Sequence, residues 1–278
     1  MNDFARPRVI KDHAYAGQSP AQTMDIYLPG KQGPADAVLY IHGGSWTAGD
    51  KAWHADGCLQ CVKRGCAAAT MNYRLLNTDL PADRQPASWE DMLDDIGRAI
   101  AALRDTLVEQ GCPPRRLALS GVSAGGHLCL LYAYSRRGQS VIPIAFLFPD
   151  VGPTDFTDTS FLDYPAPVPE QLLGLISCLA GQPVAVGEIS GDTPVLRAMS
   201  PIAYVDAAAP PTLLRYAAKD EIVPPSQGER LKAALDAAGV RNDLFICPHS
   251  GHGLDRQPEA LARAYEKKLE EYFAAYFS

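Results

Sequence analysis

No stretch of this chain approaches the run of about 18 apolar residues that a membrane-spanning helix needs, so no transmembrane segment and no membrane partner is expected. Positive charge is scarce as well. Against 32 Asp and Glu stand only 25 Lys and Arg, for a formal net charge of −7. That balance excludes the clustered basic footprint of a nucleic-acid binder, and the short Lys63-Arg64 and Arg136-Arg137 pairs read as solvated helix ends. The N-terminus, Met1 to Arg8, lacks both an apolar run and a small-residue cleavage pattern, so no signal peptide is expected. Seven cysteines, an odd number, leave at least one unpaired. Cys129, Cys178 and Cys247 sit in apolar contexts and read as small core residues. Cys58, Cys61 and Cys66 lie close together, but no second Cys pair or His pair follows at zinc spacing, so no metal site is expected. A reducing cytoplasm is the simplest home for such a set. Internal repeats and low-complexity tracts are missing too.

What is present is a globular pattern. Of 278 residues, 47% are hydrophobic and 21% charged, enough to bury a substantial core in a single α/β domain over residues 1–278. Six short apolar runs read as strands: Ala37–His42, Cys66–Tyr73, Arg116–Gly121, Ile142–Phe148, Thr212–Tyr216 and Asn242–Cys247. Their near-continuous apolarity implies burial on both faces, as in a parallel sheet. Two more strands, Val9–His13 and Gln22–Leu28, lie close enough to form an antiparallel hairpin at one edge. Helical spacing runs from Trp89 to Gln110, and Gly111 stops it. His127–Arg137, Ser226–Ala238 and Pro258–Phe277 have the same character. Strands alternating with helices predict a doubly wound, mostly parallel sheet of eight strands with helices on both faces. The rhythm breaks between Pro149 and Pro201, a stretch rich in proline and glycine. A long irregular insertion in a compact domain is usually functional, so residues 150–200 are expected to form a cap.

Gly121-Val122-Ser123-Ala124-Gly125 matches G-x-S-x-G. Alone the match is weak, but here it follows a strand and opens a helix, the setting that a nucleophile elbow requires. Flanking glycines leave room for the sharp turn that exposes a serine hydroxyl. His42-Gly43-Gly44-Ser45-Trp46 follows another strand end, where Gly43 and Gly44 can turn their N–H groups toward a developing oxyanion. The N–H of Ala124 would complete that oxyanion hole. His42 is expected to brace this loop.

A serine hydroxyl needs a base, and six histidines are available. His13 and His54 fall outside the expected strand-end loops, and His127 lies four residues along the nucleophile's own helix, where it would pack or cap. His249 and His252 both follow the last strand. Gly251 and Gly253 flank His252 and give it freedom to reach Ser123, so His252 is favoured as base and His249 is the alternative. An acid after the penultimate strand completes the order Ser, acid, His; Asp220 is the candidate and Glu221 its runner-up.

These residues, with Met24-Asp25-Ile26-Tyr27-Leu28-Pro29, Gly49-Asp50-Lys51, Asn72-Tyr73-Arg74, Ser200-Pro201 and Asp220-Glu221-Ile222-Val223-Pro224, make the chain similar to α/β-hydrolases of the esterase/lipase kind. Within them it resembles the feruloyl and acetylxylan esterase-like branch, to which kynurenine formamidases are related. The similarity runs from Met24 to Phe277. Departures are Ser45, where the H-G-G-G form has a third glycine, and Tyr216-Ala217, where a His-Gly pair is common. The 149–201 stretch matches little beyond Gly152-Pro153-Thr154-Asp155. The resemblance implies the α/β-hydrolase fold and a serine carboxylesterase working through Ser123, His252 and Asp220. Neither cofactor nor metal is implied; the expected partner is a small-molecule ester. An amidase or formamidase on the same triad is the alternative, and a non-catalytic binding protein is a third reading. Phe156, Phe161, Tyr164, Leu172 and Leu173, with Trp46 beside the acyl group, would line a narrow apolar pocket suited to short acyl chains, acetylated carbohydrate among the substrates. The competing expectation is that they pack the cap onto the sheet.

Overall fold

The computed structural model describes residues 7–76, 87–158, 169–185 and 193–277. Eight strands form one sheet: β1 (Arg8–Ala14), β2 (Thr23–Leu28), β3 (Ala35–Ile41), β4 (Ala67–Met71), β5 (Pro114–Gly121), β6 (Ile144–Leu147), β7 (Thr212–Ala217) and β8 (Asn242–Cys247). Their spatial order is β1-β2-β4-β3-β5-β6-β7-β8. β1 and β2 pair antiparallel at one edge, β2 runs antiparallel to β4, and every pairing beyond is parallel. The hairpin and the mostly parallel sheet are as expected, and the architecture is that of the α/β-hydrolase fold.

Period-two alternation sorts the strand residues to two faces. Leu39, Ile41, Met71, Leu117, Leu119 and Leu214 join one apolar cluster, whereas Val38, Tyr40, Ala68, Ala118, Phe146 and Leu213 join another. The first cluster is covered by α2 (Trp89–Glu109), α3 (Ala124–Ser135) and α6 (Ser226–Ala237). α1 (Ala55–Lys63) and α7 (Glu259–Tyr276) cover the second. α2 starts with a capping box: the Ser88 hydroxyl accepts from the Asp91 N–H while the Asp91 carboxylate accepts from the Ser88 N–H, an arrangement worth about 1 kcal/mol. α3 is buried nearly all round, which anchors the residue preceding it.

The segment between β6 and β7 is less irregular than its prolines suggest. It contains α4 (Pro169–Ala180), α5 (Pro194–Met199) and a 3₁₀ turn, Pro201–Tyr204. Each of the three begins with proline, which is tolerated there because the first N–H groups of a helix have no intrahelical partner. The start of the segment is tied to α6: the Thr154 and Asp155 amides donate to Gln227 Oε1 at 2.8 Å each. Phe161 and Tyr164 lie outside the described residues. No helix among the described residues is long and apolar enough to cross a membrane.

Candidate active site

β5 ends at Gly121 and α3 begins at Ala124, so Val122 and Ser123 alone make the reversal. Ser123 is forced to φ 56° and ψ −121°, a conformation costing a non-glycine residue about 1–3 kcal/mol. Three backbone bonds hold it there. The Ser123 amide donates to Asp150 O at 2.9 Å, the Gly125 amide to Val122 O at 2.9 Å, and the His127 amide to Ser123 O at 2.9 Å. Glycine is obligatory at 125 because a Cβ there would lie 2.1 Å from Ile41 O. The helix can therefore press against the end of β3 and lift the serine out of the turn.

The structure brings Ser123, His252 and Asp220 together. Ser123 Oγ lies 2.9 Å from His252 Nε2, and His252 Nδ1 lies 2.8 Å from Asp220 Oδ2 and 3.0 Å from Oδ1. A carboxylate only accepts, so the imidazole proton sits on Nδ1 and leaves Nε2 free to accept the serine proton. Asp220 is buried, and its Oδ1 also accepts the amides of Ile222 at 2.8 Å and Val223 at 2.9 Å. Those bonds fix the carboxylate orientation without reducing its charge. The arrangement can remove a proton from a hydroxyl and stabilise the resulting imidazolium. Glu221 reaches the backbone amide of His252 at 3.4 Å rather than its ring. His249 is exposed on a cleft of about 530 Å³ beside His252 and Lys219. Among the described hydrogen bonds, none joins His249 to Ser123 or Asp220.

Gly43 lies directly against the elbow: a Cβ on it would sit 2.7 Å from Val122 O and 3.3 Å from Ser123 Cβ. Next to it, Gly44 has φ +108°, and Ser45 (51°) and Trp46 (60°) also have left-handed backbones. As the first residue of α3, Ala124 has no intrahelical acceptor for its N–H. His42 is buried behind the loop, with Nδ1 2.7 Å from Gly43 O and its ring stacked on Tyr73 at 4.4 Å. Its pKa is lowered, chiefly by burial.

Trp46 is placed differently from the expected substrate contact. Its ring is buried, and Nε1 donates to His127 Nδ1 at 3.2 Å. Phe156, expected in the pocket lining, is buried against both Trp46 and His127. Leu173 packs against the core cluster. Asp150, which the sequence reading did not single out, pairs its carboxylate with Arg215 at 2.8 and 2.5 Å while its carbonyl accepts the Ser123 amide. Burial opposes the Arg215 charge, but Asp150 outweighs it and raises the pKa. No local signal marks this pair, whose members are 65 residues apart. Among the described residues, no group of three or more His, Cys, Asp or Glu is gathered as a metal ion would require.

Two other histidines link pH to stability. Burial lowers His127 to about 4, and burial with the neighbouring His42 lowers His54 to about 4. An unfolded histidine titrates near 6.5. Between those values the unfolded chain binds more protons, so stability is complete above about 6.5 and falls as pH drops toward about 4. The slope is about 1.4 kcal/mol per pH unit for each proton taken up. Urea midpoints should therefore be lower at pH 5 than at pH 7, and His54→Phe, which keeps the stacking on Tyr40, should shrink the difference. Equal midpoints in the parent protein would contradict the assignment.

The BD-FAE family model matches residues 24–235. The chain is 25% identical over 261 residues to Esterase LipQ of Mycobacterium tuberculosis, covering 90% of this chain and 57% of that protein. It is 24% identical over 242 residues to isoprenylcysteine alpha-carbonyl methylesterase ICME of Arabidopsis thaliana, covering 85% of this chain and 55% of that protein. The chain thus spans under two thirds of the length of these relatives. Among solved structures, a truncated carbohydrate esterase from gut microbiota superposes with a TM-score of 0.74 at 22% identity, covering 95% of this chain and 96% of the other. A bacterial heroin esterase superposes with a TM-score of 0.73 at 22% identity, covering 98% and 84%.

Proposed function

As the chain belongs to the BD-FAE family, within the α/β-hydrolase esterases, we propose that it is a serine carboxylesterase that hydrolyses short-chain acyl esters, acetylated carbohydrates among them, through an acyl-enzyme. The observation that carries this reading is the unbroken chain from Ser123 Oγ through His252 to the Asp220 carboxylate. Ser123 attacks the ester carbonyl as His252 Nε2 takes its proton, and a C–O bond forms while the carbonyl oxygen becomes an oxyanion. In this reading the N–H groups of Gly43, Gly44 and Ala124 are the donors to that oxygen, each worth about 3–4 kcal/mol in comparable sites. Collapse breaks the ester bond, and His252 returns its proton to the leaving alcohol. Water then enters, gives a proton to His252, and releases the acid and free Ser123 by the same steps. Asp220 stays ionised throughout and keeps the imidazole in the productive tautomer.

The names of the relatives support ester over amide chemistry, since LipQ, the methylesterase and both structural neighbours are described as esterases. The segment between β6 and β7 is the cap of this reading, and the cytoplasm, where seven free cysteines stay reduced, is its compartment. The short-acyl preference rests on closeness. Gly43 touches the elbow, and the Trp46–Phe156 cluster fills the space behind the loop. Across p-nitrophenyl esters of rising length, kcat/KM should peak between acetyl and butyryl. A maximum at about eight carbons or longer would defeat this preference, because a matched apolar pocket gains about 0.8 kcal/mol per buried methylene. N-formylkynurenine in the same panel separates the formamidase alternative: turnover faster than on every ester would favour it.

A further inference from the structure

Behind the glycine loop, a single buried imidazole joins three segments that are far apart in sequence. His127 lies one turn into α3 and is fully buried. Its Nδ1 is 3.2 Å from Trp46 Nε1, and its Nε2 is 2.8 Å from Met199 O. An indole N–H can only donate and a carbonyl can only accept, so the two partners select the Nε2–H tautomer. Phe156 stacks edge-on against the ring at 5.1 Å. Its amide donates to Ser200 Oγ at 2.8 Å, one residue beyond Met199. His127 therefore ties the loop carrying Gly43 and Gly44 to the helix that follows Ser123, and ties both to the end of α5.

Trp46 needs such a tie. A bulky aromatic residue at φ 60°, next to Ser45 at 51°, is a backbone outlier, and such a conformation persists only where the surroundings over-determine it. Two bonds supply that constraint: the Trp46 carbonyl accepts the Leu76 amide at 2.8 Å, and the indole N–H is held by His127. Gly44, two residues away, also accepts the amides of Thr47 at 3.0 Å and Ala48 at 2.9 Å, which bonds residues 44–48 into one turn.

We propose that His127 is a positioning residue that, through its bond to Trp46, sets the distance between the Gly43-Gly44 amides and Ser123, while its bond to Met199 holds the cap segment. The proposal rests on the esterase reading. Its consequence is a split between kinetic parameters. Oxyanion donors act on charge that exists only beyond the ground state, so displacing them lowers kcat more than it changes KM.

The test uses side chains that keep one bond each. In His127→Asn an amide oxygen replaces Nδ1 and can still accept from Trp46. In His127→Gln an amide nitrogen replaces Nε2 and can still donate to Met199 O, but the Trp46 acceptor is lost. Trp46→Phe removes the donor together with part of the ring, and its melting temperature reads the lost packing separately from kcat. Measured well below each variant's melting temperature, kcat should fall on the order of 10- to 100-fold in His127→Gln and in Trp46→Phe, as displacements of up to an ångström cost. KM should change less than about threefold in both. His127→Asn should recover most of kcat, and combining Trp46→Phe with His127→Gln should cost little more than either alone. Parental kcat in both His127→Gln and Trp46→Phe, with lowered melting temperatures only, would overturn the proposal. If a variant does not fold, ¹⁵N shifts of the parent's imidazoles decide: at pH 7 His127 must carry its proton on Nε2, and an Nδ1–H ring overturns the assignment. Fluorophosphonate labelling of the parent keeps the two readings separate. No label on Ser123 defeats the esterase reading itself, whereas a labelled, active parent with unaffected variants defeats only the role of His127.

Discussion

Replacing Ser123 with alanine should lower kcat by on the order of 10⁴-fold or more while the protein stays folded. The size of the effect follows from what one oxygen does. Without Oγ no acyl-enzyme can form, and His252 Nε2, 2.9 Å away in the parent, has no proton to accept. What remains is water attack assisted by the loop amides, a far smaller effect. Stability should hardly change. The strained backbone at φ 56° is stabilised by the Ser123, Gly125 and His127 amide bonds, which alanine keeps. Far-UV circular dichroism and urea midpoints would verify folding, and fluorophosphonate labelling should disappear together with turnover. Near-parental kcat in the folded variant would remove the serine mechanism altogether.

His252→Ala should be nearly as severe, with kcat falling on the order of 10⁴-fold or more, because the base, the later acid and the link to Asp220 go with one ring. The informative control is His249→Ala. Both histidines follow β8 within six residues, and composition does not separate them. Their surroundings do: His252 is bonded on both ring nitrogens, to Ser123 and to buried Asp220, whereas His249 is exposed on the neighbouring cleft. His249→Ala should therefore lower kcat/KM by no more than about tenfold, the range for a residue that touches only the rim of a site. A larger loss in His249→Ala than in His252→Ala would transfer the base to His249 and require the loop to move.

Much of this was legible in the chain itself, because the signals involved are local. Near-continuous apolar runs marked β3 to β8 to within a few residues, since burial in a parallel sheet leaves little room for polar side chains, and the closeness of β1 and β2 marked the edge hairpin. Glycines at 121 and 125 marked the elbow, since a turn completed in two residues excludes side chains on either side. The order Ser123, Asp220, His252 followed from which strand each residue succeeds. Three helices were not legible. α1 is short, with Gly57 and two cysteines diluting its pattern, and α4 and α5 hide behind prolines that mark their starts rather than their absence.

Tertiary structure alone decided the rest. Trp46 read as a substrate contact because it adjoins two glycines, yet folding turns its ring inward onto a histidine 81 residues away. His127 read as packing, and nothing local indicates that Met199, 72 residues on, accepts its proton. Asp150 and Arg215 pair across 65 residues for the same reason. Period, propensity and the steric demands of glycine act over a handful of neighbouring residues, and one sequence suffices to read them. Which polar atom satisfies which depends on how the sheet and its covering helices close over one another, because a buried donor or acceptor costs about 1–3 kcal/mol until some partner, however distant in the chain, is brought to it.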